Sequence, residues 1–244
     1  MRNLKLDKLL RPTQYVEKIL VTAILDGTYS RGAVLPNERS LAEQMGVTRP
    51  TLRETLQRLA GEGWITIHHG KPTVVNDYWQ DGGLRLLGTL SKYSDYLPNG
   101  FITHLLEVRL TMLPSVAGRA ARFQPEILLD YLAEARDLAE DAKDFSDFDW
   151  RLQMLMARNS QNPVFSLILN DFAQIFANMA KLYFKLNTAR QASRTFYSEL
   201  TRAIENSTNT VEDVVKKAMQ QSILIWKEVK PGLRGSGLPW RDCF

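Results

Sequence analysis

The stretch LAEQMGVTRPTLRETL, residues 41 to 56, constrains the fold more than any other part of the chain. Ala42 is followed four residues later by Gly46 and ten residues later by Leu52. Two helices crossing at about 90–120° need a small residue at their contact and a turn residue free to adopt positive φ. Ala42 and Gly46 supply both, and a large side chain at 42 would push the helices apart. The pattern predicts one helix from Asn37 or Glu38 to Gly46 and, after Val47-Thr48, another from Arg49 to Glu62. The second turns Leu52, Leu56 and Leu59 inward. Thr48 reads as its N-cap, and Pro50 is tolerated because first-turn amides have no helical partner.

The flanks extend the pattern. Residues 13 to 26 place Val16, Ile19, Leu20, Ala23 and Ile24 at helical spacing, closed by Gly27. A turn-rich stretch, GTYSRGAVLPNERS, follows. After Gly63 the period drops to two: Trp64 to His68 and Thr73 to Asn76 alternate like short strands, with His69-Gly70-Lys71-Pro72 as a hairpin tip. Three helices and a hairpin make a winged helix-turn-helix. From Tyr78 on the pattern is helical, with expected spans 83 to 94, 100 to 123, 125 to 144, 146 to 160, 163 to 186, 188 to 206 and 210 to 229. The expected fold is therefore mainly α: an N-terminal winged helix-turn-helix with a small β-hairpin, then an all-α bundle. The expected domains are 1–77, the winged helix-turn-helix; 78–99, a linker and first bundle helix; 100–230, a helical domain; and 231–244, a loose tail.

Charge divides the chain in the same place. Residues 1 to 76 hold 11 Lys/Arg against 7 Asp/Glu, a surplus of +4, while residues 77 to 244 hold 20 against 20. The whole surplus sits on the module with the helix-turn-helix, as expected where that module meets a polyanion. With 44% hydrophobic and 24% charged residues the chain can bury a real core, which argues against disorder. No run of apolar residues is long enough to span a bilayer, so no membrane association is expected. The single cysteine, Cys243, excludes an internal disulfide and suggests a cytoplasmic setting.

Chemistry motifs are sparse. The sequence has no Gly-rich phosphate loop, no GxSxG elbow and no HExxH, so no enzyme activity is expected. Glu140 and Asp141 read as a solvated helix face. The helical half is rich in Met112, Met154, Met156, Met179 and Met219, side chains that fill irregular space, either as ordinary core or around a ligand cavity. The head is more telling. A recognition helix reaches base edges with its first turns, and Thr48, Arg49, Thr51 and Arg53 cluster there. Arginine suits guanine O6/N7, and threonine suits a phosphate or a thymine methyl. The local alternative for Arg53 is pairing with Glu54 or Gln57. Arg39 is placed for a phosphate, and His69, Gly70 and Lys71 for a minor groove.

The segment LPNERSLAEQMGVTRPTLRETLQRLAGEGWITIHHGKPTVVNDYW, residues 35 to 79, resembles the N-terminal domain of GntR-family transcription regulators. More narrowly it is similar to the FadR subfamily, the acyl-CoA-responsive regulators of bacterial fatty-acid metabolism. The likeness stays collinear through about Trp226. It implies operator contacts by Arg39, Thr48, Arg49, Thr51 and Arg53, and wing contacts by His69, Gly70 and Lys71. Pro50 departs from the subfamily's threonine. LLEVRLTML matches the segment whose arginine faces the acyl-CoA, which implies a site formed by Leu106 and Arg109 with Tyr183, Ser222 and Trp226. Met219 stands where the subfamily has a glycine that leaves room for ligand. Many related regulators bind a metal through an Asp and a His four residues later; here Asp149 is followed by Gln153, a poor metal ligand, so no metal is expected.

The resemblance thus implies a homodimeric regulator of fatty-acid metabolism genes on a palindromic operator of double-stranded DNA. It needs no cofactor, and a long-chain fatty acyl-CoA effector in the bundle weakens its grip on DNA. Two alternatives stay open: a GntR-type regulator sensing another small molecule, such as a carboxylate, and a helical enzyme with an attached DNA head.

Overall fold

The computed structural model describes residues 10–68, 70–98, 100–206 and 208–228. They form two compact units that divide between Thr89 and Leu90. The expected loose tail, 231–244, lies outside the described residues.

The first unit begins with α1 (Pro12–Leu25), α2 (Glu38–Met45) and α3 (Arg49–Glu62). Asn37 caps α2 by accepting from the Ser40 amide at 2.9 Å, and Gly46 ends it in the left-handed region at φ 65°. An L side chain rarely adopts that backbone, which is why glycine sits at the turn between the two helices. Ala42 is buried at the foot of the turn. Leu52, Leu56 and Leu59 are buried on α3, as their spacing predicts. On α1 the buried face is rotated from the expected one. Val16, Leu20 and Ile24 are buried, but Val21 and Leu25 join them while Ile19 and Ala23 are only half-buried. The rotation also buries Glu17, which Arg58 of α3 neutralises at 2.5 Å.

The wing is β1 (Ile65–Thr66) paired antiparallel with β2 (Val74–Val75), Ile65 opposite Val75. A third extended stretch completes it. Val34 bridges Val74, the Leu35 amide donates to the Thr73 carbonyl and the Val75 amide to the Ala33 carbonyl, both at 2.9 Å. The sequence pattern places only turns there, because the three residues between Gly32 and Pro36 are too few to show a period. Gly63 joins α3 to the wing at φ 97°, and a Cβ on it would stand 2.9 Å from Gly82 Cα. Fully buried Trp64 anchors the junction, its ring 4.9 Å from Tyr78 and its indole N–H donating to Glu62 at 3.1 Å. Glu62 also accepts from Thr89 Oγ1 at 2.6 Å, which ties the end of α3 to the segment after α4 (Tyr78–Asp81).

That segment corrects the helix expected over 83 to 94. It contains only α5 (Leu86–Leu90) and a 3-10 stretch, Ser91–Tyr96, broken at Tyr93. Glycines at 82, 83 and 88 leave too few helix-favouring residues for a longer run.

The second unit is a bundle of α6 (Phe101–Phe123), α7 (Pro125–Ala133), α8 (Ala142–Asn159), α9 (Pro163–Tyr183), α10 (Asn187–Asn206) and α11 (Val211–Trp226). Helix α6 packs along α11 and α8, and small buried residues at Ala117, Ala120 and Ala121 let the backbones approach. The expected break between 144 and 146 falls earlier. A 3-10 turn, Glu134–Asp137, ends the α7 region, and Asp141 starts α8 by accepting from the Lys143 and Asp144 amides at 3.0 and 3.4 Å. Glu140 and Asp141 are therefore not a solvated helix face. Asp141 is a cap, and Glu140 takes Arg190 and Arg194 of α10 at 3.2 and 2.8 Å. Those two arginines hold the Glu140 carboxyl below its ordinary pKa.

Candidate DNA interface and ligand cavity

In the first unit the candidate side chains are held by the turn itself. Thr48 is the N-cap of α3, accepting from the Thr51 amide at 3.4 Å, and the two hydroxyls lie 2.9 Å apart. This capping leaves the first-turn amides and side chains at one exposed end of the helix. Arg49 is exposed and forms no hydrogen bond or ion pair among the described residues. With Pro50, Arg53, Glu54 and Gln57 it borders one open depression.

Arg53 differs. Its partner is neither Glu54 nor Gln57 but Glu38, at the start of α2, which accepts from Arg53 Nη2 at 2.7 Å and from Nε at 3.2 Å. The Glu38 carboxylate raises the Arg53 pKa, and the side chain stays 57% exposed, so the guanidinium can exchange this acid for another anion. Arg39 is more open still, 81% exposed and bonded to Glu43 one turn on at 3.0 Å. On the wing, Gly70 and Lys71 are exposed and the Lys71 ammonium has no partner among the described residues; His69 lies outside them. Of these candidate residues, Arg49 and Lys71 are cations without a partner among the described residues, and Arg39 and Arg53 each hold an acid on the surface. Exposed pairs of this kind are worth little, so giving them up for phosphate costs little.

The second unit encloses two adjoining cavities of about 70 Å³ each. Leu106, Arg109, Tyr183, Ser222 and Trp226 all line the first. The structure thus brings together every ligand residue expected there, from α6, α9 and α11. Ser222 and Trp226 are both buried, as four-residue spacing on one helix face requires. Arg109 lines both cavities; its Nη2 donates to Ser222 Oγ at 2.9 Å, and Ser222 Oγ in turn donates to the Met219 carbonyl at 2.7 Å. Arg109 Nε is buried without a partner. Burial pushes the Tyr183 hydroxyl's pKa up, and the Arg109 charge partly offsets it. Met219 also lines the first cavity.

Sequence reasoning missed the polar floor. Asp149 is buried, accepts from Gln153 Nε2 at 2.6 Å and from the Tyr197 hydroxyl at 3.3 Å, and lines the first cavity. Burial raises its pKa, while Arg109 and these two bonds pull it down. The Asp-to-Gln spacing of four was visible in the sequence as a ligand pair without its imidazole; that it is a hydrogen-bonded pair within reach of the Arg109 charge needed the fold. Among the described residues no group of three or more His, Cys, Asp or Glu converges as a metal site.

Residues 12–75 match the gntR family of bacterial regulatory proteins, and residues 76–236 match the FadR C-terminal domain. A fatty acid metabolism regulator protein of Shewanella baltica is 40% identical over 192 residues, 78% of this chain and 79% of its own. Its namesake from Shewanella pealeana is 35% identical over 223 residues, 90% and 92% of the two chains. The solved structure of Lar, described as controlling expression of the Listeria monocytogenes agr system, superposes with a TM-score of 0.61 over 91% of this chain and 100% of that one. At 17% identity that likeness concerns the fold alone. With a head, a bundle and a match along nearly its whole length, the chain belongs to the gntR family, in its FadR branch, and is a DNA-binding transcription regulator rather than an enzyme.

Proposed function

We propose that the protein regulates fatty-acid metabolism genes as a cytoplasmic homodimer on a palindromic operator, and that long-chain fatty acyl-CoA in the helical unit weakens its hold on DNA. Two copies present two recognition helices to half-sites related by the same twofold axis. Arg49 and Arg53 address base edges, Thr48, Thr51 and Arg39 the backbone, and His69, Gly70 and Lys71 the minor groove. The effector's polar end meets Arg109, Tyr183 and Ser222, and Leu106 and Trp226 flank it.

Arg109 is the observation that carries this reading. Its guanidinium lines both cavities and, among the described residues, has only Ser222 as a hydrogen-bond partner and leaves Nε unused; that donor suits a carbonyl or phosphate oxygen. The relatives' names, fatty acid metabolism regulator protein, support an effector of the acyl class. An effector changes DNA affinity only by binding the free and DNA-bound states unequally.

The cavity size supports a second reading, a smaller carboxylate. Each cavity, about 70 Å³, is below the ~150 Å³ of an apolar cavity that admits benzene. A long chain therefore has to displace the flexible Met112 or Met179 side chains that line the space.

One titration tests the proposal. Protein bound to labelled DNA from its own promoter is followed by anisotropy while acyl-CoAs or small carboxylates are added, and sedimentation gives the stoichiometry. Two chains per site and release by long acyl-CoA are expected. Release only by small acids selects the second reading, and no preference for any DNA over heparin overturns the whole account.

A further inference from the structure

The wall of the second cavity is apolar, with Met112, Leu169, Phe172 and Ile175 prominent, except for Arg109, Gln153 and the Trp150 indole. Gln153 is only 3% exposed. Its Nε2 donates to Asp149 Oδ2 at 2.6 Å, but its Oε1 is buried with no hydrogen-bond partner. With Asp149 ionised, both of its oxygens accept, one from Gln153 Nε2 and the other from the Tyr197 hydroxyl, and this pair of bonds orients the amide. In that orientation Gln153 Oε1 is an unused acceptor, among the described residues, on a residue of a mainly apolar wall. A saturated hydrocarbon packed against it leaves it dry, whereas a ligand with a donor at that place recovers the bond.

We infer that the effector this cavity selects is an acyl compound carrying a hydroxyl on its chain, with the hydroxyl donating to Gln153 Oε1. This rests on the acyl-effector reading above and narrows it. The carbonyl end takes the free N–H of Arg109, which lines both cavities, and the chain enters the second cavity past Gln153. The ligand then needs two complementary groups, an acceptor for the arginine and a donor for the glutamine.

Calorimetry on the full chain tests it, with dodecanoyl-CoA, its β-hydroxy and mid-chain-hydroxy counterparts, and the corresponding free acids. One recovered buried hydrogen bond corresponds to roughly tenfold in affinity, so one of the hydroxylated ligands is expected to bind about tenfold more tightly than the saturated one. Gln153→Met, which keeps the length and removes the acceptor, is expected to erase that preference. The comparison of ligands on the unaltered protein stands even if the variant fails to fold. Equal binding of saturated and hydroxylated ligands overturns this inference and leaves the acyl-effector reading intact, and so does a preference that survives Gln153→Met. Binding of none of the thioesters or acids overturns both.

Discussion

Arg49 and Arg109 are the same residue type put to opposite uses. Arg49 stands exposed at the start of α3 with no partner among the described residues, whereas Arg109 lies near a buried carboxylate, bonded to a serine and with one donor idle. The first setting makes attraction long-ranged, cheap to form and sensitive to salt. The second concentrates it, because a guanidinium removed from water interacts strongly with whatever oxygen reaches it. On the proposed reading, one chain thereby combines a surface suited to many phosphates with a cavity suited to few molecules.

The sharpest way to break this comparison is Arg109→Ala. It should weaken effector binding by about 1.5–3 kcal/mol, the range for a hydrogen bond to a charged group, and leave effector-free DNA binding unchanged. Loss of both in a DNA-release titration would show that the arginine supports the fold instead. Next in size is Arg49→Ala, expected to cost ~1–3 kcal/mol of discrimination between operator and random DNA while effector affinity stays constant. Equal losses on the two DNAs would demote it to a phosphate contact. Thr48→Ala separates capping from recognition: a thermal melt should show about 1 kcal/mol of lost stability, since the α3 N-cap goes with the hydroxyl. An unchanged melt with weaker DNA binding would assign Thr48 to DNA alone. Smallest is Lys71→Ala, expected to reduce the slope of log affinity against log salt by about one. An unchanged slope removes the wing lysine from the interface.

The head was more legible than the bundle. Ala42, Gly46, Thr48 and the stripe of Leu52, Leu56 and Leu59 are local devices, and each does what its spacing predicts. The edge stretch at Val34 was not legible, because its pairing with Val74 is long-range and too short to leave a period. Nor was the Arg53–Glu38 pair, which joins residues 15 apart across the turn. In the bundle, helix existence followed from the apolar repeat, but the start of α8 did not. Asp141 in a run of acids looks the same whether it caps a helix or rides on one.

Chain order alone therefore determined a helix-turn-helix, a wing and a helical bundle, because turns, caps and apolar repeats act over a few residues. It also determined which arginines were available. Only the folded structure decided which of them keep an acid, which stay free among the described residues and which shares a cavity with Asp149. Those outcomes depend on side chains from distant helices sharing one small volume from which water is excluded, and no local pattern records that meeting.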